Sequence, residues 1–262
     1  MDEILTEHAG SVLRVQLNRP TKRNAMTSAM YLALAGILDD AANDESTRVV
    51  LWHGAGDSFC AGNDIEDFLK NPPGPGESPQ ARLMTTLLNL DKPLVAAVHG
   101  AAIGGGTTML THCDFIYAGE SAKFQMPFIN LAVVPEFGSS CSVPGRIGHV
   151  RAAELILLGA PYDASRAAEL GLITQVTPDK DVLAIATETA RKLATKPAGA
   201  LQASKRLMKQ PFREQVRTAM KAENEEFSVQ VRSEDAREAL TAFLEKRKPD
   251  FTRTTTSAQR RG

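Results

Sequence analysis

Cysteine is scarce in this chain, charge of one sign does not accumulate, and no apolar run is long. The three cysteines, Cys60, Cys113 and Cys141, are widely spaced and odd in number. That argues against a disulfide framework and fits a reducing compartment. No CxxC pair and no Cys/His cluster has metal-ligand spacing, so no metal is expected. Lysine and arginine total 30 against 31 aspartates and glutamates, a formal net charge of −1. The basic stripe of a nucleic-acid-binding protein is therefore missing. No apolar stretch reaches the roughly 18 residues that a membrane span needs. Residues 1–10 are acidic and lack an apolar segment, so no secretory signal is expected and the cytoplasm is the expected location. The basic, polar tail 253–262 reads as a frayed end.

What the chain does have is a large apolar fraction, 43% of 262 residues, enough for one large domain or a domain with a smaller appendage. Val12 to Leu17 partly alternates, as a half-buried strand does. A helix is expected from Thr27 or Ser28 to about Asn43. Val49 to His53 and Leu94 to Val98 read as buried strands, and Asp114 to Ala118 as another. A helix start is expected at Asp64, and helix resumes from about Gln80 to Leu90. Between them, Asn71 to Pro79 holds four prolines and two glycines and reads as a mobile surface loop. The stretch Phe124 to Phe137 looks irregular. Beyond Pro144 the pattern is helical, over about 150–158, 164–170, 179–195, 198–209, 212–231 and 233–246. The whole is an α/β core over 1–195 followed by a helical region over 196–262.

Two small-residue turns stand out. Gly104-Gly105-Gly106 lies between a strand and a helix, where each glycine costs roughly 1 kcal/mol relative to alanine. The run is neither a dinucleotide fingerprint nor a P-loop. Tight helix–strand packing would explain it; so would a ligand approaching free N–H groups at a helix start. Ala61-Gly62-Asn63 is a second turn between a strand and a helix. Two such turns permit an oxyanion site built from one N–H of each.

Asn18-Arg19-Pro20 with Asn24-Ala25, Phe59-Cys60-Ala61-Gly62-Asn63-Asp64-Ile65, Lys92-Pro93, Gly100 with the glycine run up to Cys113-Asp114, Ala164 to Ile173, and Phe243 to Lys248 occur in one order. This set resembles the crotonase superfamily, the enoyl-CoA hydratases and isomerases, over about residues 4 to 251. The resemblance implies a crotonase-like spiral of ββα units with a helical C-terminal region that builds homotrimers or hexamers. It implies an acyl-CoA thioester as substrate, with coenzyme A as part of that substrate and no separate cofactor. The oxyanion N–H groups would be those of Asn63 and Gly105. Lys22 and Arg23 would meet the nucleotide end of coenzyme A, although both also read as solvated charges, and Ala25 and Phe128 would be among the substrate-binding residues. Ala61, Gly62, Asp64, Ile65 and Gly104 would lie along the ligand. Phe243 and Lys246 would approach it from the C-terminal helix, with an ordinary surface charge as the other reading of Lys246.

The sequence departs from the hydratases at two places. Where they carry glutamates that activate water, it has Thr108 and Phe128, and neither side chain is a carboxylate base. Instead, Pro127-Phe128 followed by Pro135-Glu136 and Ser139-Ser140 looks like the Δ3,Δ2-enoyl-CoA isomerases of the peroxisomal type, in which a glutamate at the Glu136 position is the acid/base. Moving a double bond from C3 to C2 needs one group that takes a proton from C2 and returns it to C4, and no water. Apolar neighbours would raise the pKa of Glu136 toward the working pH. Glu136 could instead cap a helix starting nearby. Other readings of the whole are hydration, thioester hydrolysis or dehalogenation on the same scaffold, or a non-catalytic acyl-CoA-binding protein. A serine triad at Ser139 or Ser140 lacks a suitably placed histidine and the Gly-x-Ser-x-Gly turn. His99 and His112 read as structural, and Cys60 as small apolar packing.

Overall fold

Val49, Val50, Leu51 and Trp52 are all buried, yet they divide between two cores: Val50 and Trp52 face one, Val49 and Leu51 the other. That alternation is the period of a strand covered on both faces. It sets the architecture of the chain, described here from a computed structural model over residues 2–71 and 78–253. The proline-rich stretch and the tail lie largely outside the described residues.

Nine strands are described: β1 (Ile4–Ala9), β2 (Val12–Leu17), β3 (Val49–Gly54), β4 (Leu94–Val98), β5 (Ala101–Ile103), β6 (Phe115–Gly119), β7 (Lys123–Gln125), β8 (Tyr162–Asp163) and β9 (Gln175–Thr177). Six form a sheet in the order β1-β2-β3-β4-β6-β9. Its β1–β2 hairpin is antiparallel, with Ile4 opposite Leu17, and the other pairings are parallel. β5, β7 and β8 form a second, small sheet.

The helices are α1 (Ser28–Asn43), α2 (Ile65–Lys70), α3 (Pro79–Asn89), α4 (Gly105–Thr108), α5 (Ser139–Ile147), α6 (His149–Leu157), α7 (Ala164–Glu169), α8 (Val182–Ala194), α9 (Ala198–Gln230) and α10 (Glu234–Leu244). Side-chain oxygens start several of them: Thr27 accepts from Met30 N–H, Asp64 from Asp67 N–H and Ser233 from Ala236 N–H. Tyr31, Leu34 and Leu38 of α1 and Leu83 and Leu87 of α3 cover the Val50–Trp52 face. Val182, Ala186 and Ala190 of α8 cover the Val49–Leu51 face. No helix among the described residues is long and apolar enough to cross a membrane.

Several elements differ from the sequence reading. β1 is an exposed edge strand with four solvent-facing residues in a row, so it carries no apolar alternation. The irregular stretch after Phe124 is flanked by the three-residue strand β7. The two helices expected over 198–209 and 212–231 are one helix of 33 residues with Pro211 inside it. Pro211 has no N–H to give the Leu207 carbonyl, but Leu207 is 65% exposed, so that carbonyl is within reach of water. Lys205 anchors this helix to the core: its Nζ lies 2.6 Å from the Asp114 carboxylate and donates to the Lys92 carbonyl at 2.7 Å.

Candidate active site

The two small-residue turns are stitched to each other backbone to backbone. Cys60 N–H donates to the Ala101 carbonyl, and Ile103 N–H donates to the Cys60 carbonyl, both at 2.9 Å. On the far side, Met26 N–H donates to the Gly62 carbonyl and Asp64 N–H to the Met26 carbonyl, both at 2.8 Å. A Cβ on Gly106 would stand 2.4 Å from the Cys60 carbonyl oxygen, so the absence of a side chain there is what lets the turns touch. Gly104 N–H is taken by the Gln125 carbonyl at 2.9 Å. Among the described residues, the N–H groups of Asn63 and Gly105 donate to no acceptor in the chain. Each sits where a strand hands over to a helix: Asn63 before α2, Gly105 at the first position of α4.

Both turns open on a cavity of about 650 Å³, within the usual range for a small-molecule site. Lys22, Arg23, Ala25, Ala61, Gly62, Asn63, Asp64, Ile65, Gly104, Gly105, Phe128, Glu136 and Phe243 line it. Of the residues expected there, Lys246 is the exception. It follows α10 in the left-handed conformation, with φ of 55°, and is exposed. The chain reverses at that point, and it is the next residue, Arg247, that borders the cavity together with Pro249.

Glu136 is the unusual group in this wall. It is 4% exposed, and its Oε1 has no hydrogen-bond partner. Burial first, and the Glu223 carboxylate second, push its pKa up to about 8. The other lining carboxylates are engaged. Asp64 accepts from Arg19 and from Asp67 N–H, each at 3.0 Å. Although burial opposes it, those bonds hold the Asp64 carboxyl below the usual range. Glu66 is exposed and pairs with Lys22 at 3.5 Å. Thr108 is fully buried and donates its hydroxyl to the Gly104 carbonyl at 3.3 Å, within its own helix.

Sequence reasoning missed two residues beside Glu136. Tyr31 of α1 is completely buried and donates its hydroxyl to Asn63 Oδ1 at 2.7 Å. Burial, then Glu136 and Cys60, keep its phenol protonated far beyond its ordinary pKa. Glu223 of α9 accepts from Gly138 N–H at 2.7 Å and Ser140 N–H at 2.8 Å. It is thus Glu223, not Glu136, that caps the start of α5. Nothing local in the sequence marks either residue, since each reaches the site from a distant helix.

His112 donates Nε2–H to the Phe137 carbonyl at 2.8 Å, and burial lowers its pKa to about 3. Burial raises the Cys60 thiol to about 12, consistent with packing rather than thiolate chemistry.

Residues 7–254 match the family described as enoyl-CoA hydratase/isomerase. The chain belongs to this family. Among its relatives, 1,2-epoxyphenylacetyl-CoA isomerase of Escherichia coli is 36% identical, with 96% of this chain and 99% of the relative covered. Enoyl-CoA delta isomerase 2 of Rattus norvegicus is 31% identical, covering 94% of this chain and 64% of that protein. Further relatives of similar identity carry hydratase names. The crystal structure of an enoyl-CoA hydratase/isomerase from Pseudoalteromonas atlantica superposes with a TM-score of 0.91 at 36% identity, covering 95% of this chain and all of that one. The crotonase fold expected from the sequence is therefore the fold of this enoyl-CoA hydratase/isomerase family member, as is the processing of acyl-CoA thioesters.

Proposed function

We propose that this family member is a Δ3,Δ2-enoyl-CoA isomerase that converts a 3-enoyl-CoA to the 2-trans isomer, with Glu136 as its single acid/base. One observation carries the reading. Among the described residues, Glu136 is the lining carboxylate with a buried oxygen that has no hydrogen-bond partner, while the two hydration positions hold Thr108 and Phe128. The thioester oxygen accepts hydrogen bonds from Asn63 N–H and Gly105 N–H. Glu136, as carboxylate, takes a proton from C2, and the negative charge moves onto the thioester oxygen as a dienolate. The two amides hold that charge; losing one such donor costs about 2.7–4 kcal/mol of barrier. Glu136 then returns the proton to C4, leaving the double bond between C2 and C3. The apolar wall of Leu131, Val133, Phe227 and Leu240 keeps water from competing for the dienolate. Lys22 and Arg23, which line the cavity, meet the nucleotide of coenzyme A in this reading. Such a reaction feeds unsaturated acyl chains into β-oxidation.

The test is a paired assay on 3-enoyl-CoA isomerisation and 2-enoyl-CoA hydration. Wild-type protein is expected to isomerise, and Glu136→Gln to lose at least about a hundredfold in kcat. Rapid hydration by the wild type, or isomerisation untouched by Glu136→Gln, would sink the assignment.

A further inference from the structure

The segment that carries Glu136 is held in a costly shape. Phe137, with φ of 61°, and Gly138, with φ of 71°, are consecutive left-handed residues. A phenylalanine in that region is disfavoured by contact of its Cβ with the backbone. One internal bond and several from outside hold the turn. Ser139 N–H donates to the Glu136 carbonyl at 3.2 Å, and His112 donates to the Phe137 carbonyl at 2.8 Å. Two further amides of the turn, Gly138 N–H and Ser140 N–H, both end on the carboxylate of Glu223, at 2.7 and 2.8 Å. Glu223 is 5% exposed and comes from the C-terminal third of α9, 83 and 85 residues away in sequence from the amides it holds.

We propose that Glu223 is a positioning residue for the reaction: its ionised carboxylate clamps the turn that aims Glu136 into the cavity and, by taking the N–H donors of that turn, leaves Glu136 as the group that exchanges a proton with substrate. The two carboxyl groups have opposite surroundings. Both oxygens of Glu223 accept N–H bonds at the start of α5, where the helix dipole also favours an anion. Oε1 of Glu136 accepts none. Burial raises both groups, but only for Glu223 do hydrogen bonds from Ser140 and Gly138 oppose it. As pH falls, Glu136 is therefore the first of the two to take up a proton while Glu223 keeps its charge, which makes Glu136 the stronger base of the pair. The other ionisable groups facing Glu136 are Tyr31 of α1 and Cys60 of the first oxyanion turn, and burial holds both in their neutral forms.

The inference rests on Glu136 acting as the acid/base, so the first measurement uses no substrate. In wild-type protein with ¹³C-labelled glutamate, carboxyl resonances are titrated and assigned with Glu136→Gln and Glu223→Gln. Glu136 is expected to titrate near 8 and Glu223 before it as pH rises; the reverse order overturns the proposal whatever reaction the enzyme catalyses. The second measurement is the pH dependence of kcat. In Glu223→Gln, kcat is expected to fall about ten- to hundredfold with KM little changed, because the turn is looser. Its acid limb should also move down by roughly one pH unit, because the like charge is gone. Glu223→Asp keeps the charge on a shorter arm; it should lose kcat while its limb stays near the wild-type position. A purely structural role would lower the amount of folded protein and leave the limb unmoved in both variants. A folded Glu223→Gln protein with an unmoved limb or a wild-type kcat overturns the proposal.

Discussion

At the scale of the residue, the site is crowded around one missing side chain. A Cβ on Gly105 would lie 2.9 Å from Glu136 Oε1 and 3.1 Å from the Tyr31 hydroxyl. Both are side-chain ends, so they would yield, and in yielding they would leave the positions the chemistry needs. Gly105 itself has ordinary helical backbone, and alanine suits a helix better than glycine does. Gly105→Ala is therefore expected to unfold at nearly the wild-type temperature and yet lose about a hundredfold in kcat/KM, since displacements of an ångström at a reacting centre carry that cost. Steady-state kinetics beside calorimetry check both halves. A variant equally impaired in stability and rate would place the role of Gly105 in packing alone.

At the scale of the element, α9 does more than cover the core. From it, Lys205 holds Asp114, and Glu223 holds the turn carrying Glu136. Pro211 lies between these two anchors and leaves the Leu207 carbonyl without its helical donor. Proline in a helix interior costs up to about 3 kcal/mol relative to alanine. Water at the exposed Leu207 and Phe212 surface offsets part of that. Pro211→Ala is expected to stabilise the protein by about 1 kcal/mol in urea unfolding and leave kcat unchanged, because neither anchor touches Pro211. A lower kcat would mean that a bend at Pro211 sets the reach of Glu223.

At the scale of the molecule, burying a carboxyl without partners links folding to pH. Glu136 has its pKa raised from 4.5 to about 8 in the folded chain. Between those values the folded state retains a proton that the unfolded state has released. Its contribution to stability is therefore fully present below pH 4.5 and is lost as pH rises through about 8. Glu136→Gln carries no such proton. Measured by denaturant midpoint, its stability relative to wild type is expected to rise steadily between about pH 5 and pH 8 and to level off above. A constant difference across that range would mean that Glu136 titrates at its ordinary pKa. The same burial that weakens the fold in alkali strengthens the base, since a carboxylate of raised pKa is a better proton acceptor.

Some of this was decided by the sequence alone. Continuous apolar runs such as Leu94–Val98 mark central parallel strands because both of their faces are buried, and the ordered motifs around Asn63 and Gly105 mark the family and the two small-residue turns. Local chemistry suffices there: a glycine run, a capping Asp64, a Pro-Glu pair. The exposed edge strand β1 and the unbroken α9 were not legible, because an edge strand needs no apolar alternation and one proline does not stop a helix whose freed carbonyl meets water. Lys246, placed at the ligand by motif, stands outside the cavity because a left-handed residue after α10 turns the chain there. Tyr31 and Glu223 were also hidden. Their hydrogen bonds span 32, 83 and 85 residues, and a buried acid in the middle of a helix looks in sequence like any solvated one. Only the folded chain decides which carboxylate receives N–H donors and which, among the described residues, receives none, and that difference separates the group that exchanges the proton from the group that keeps its charge.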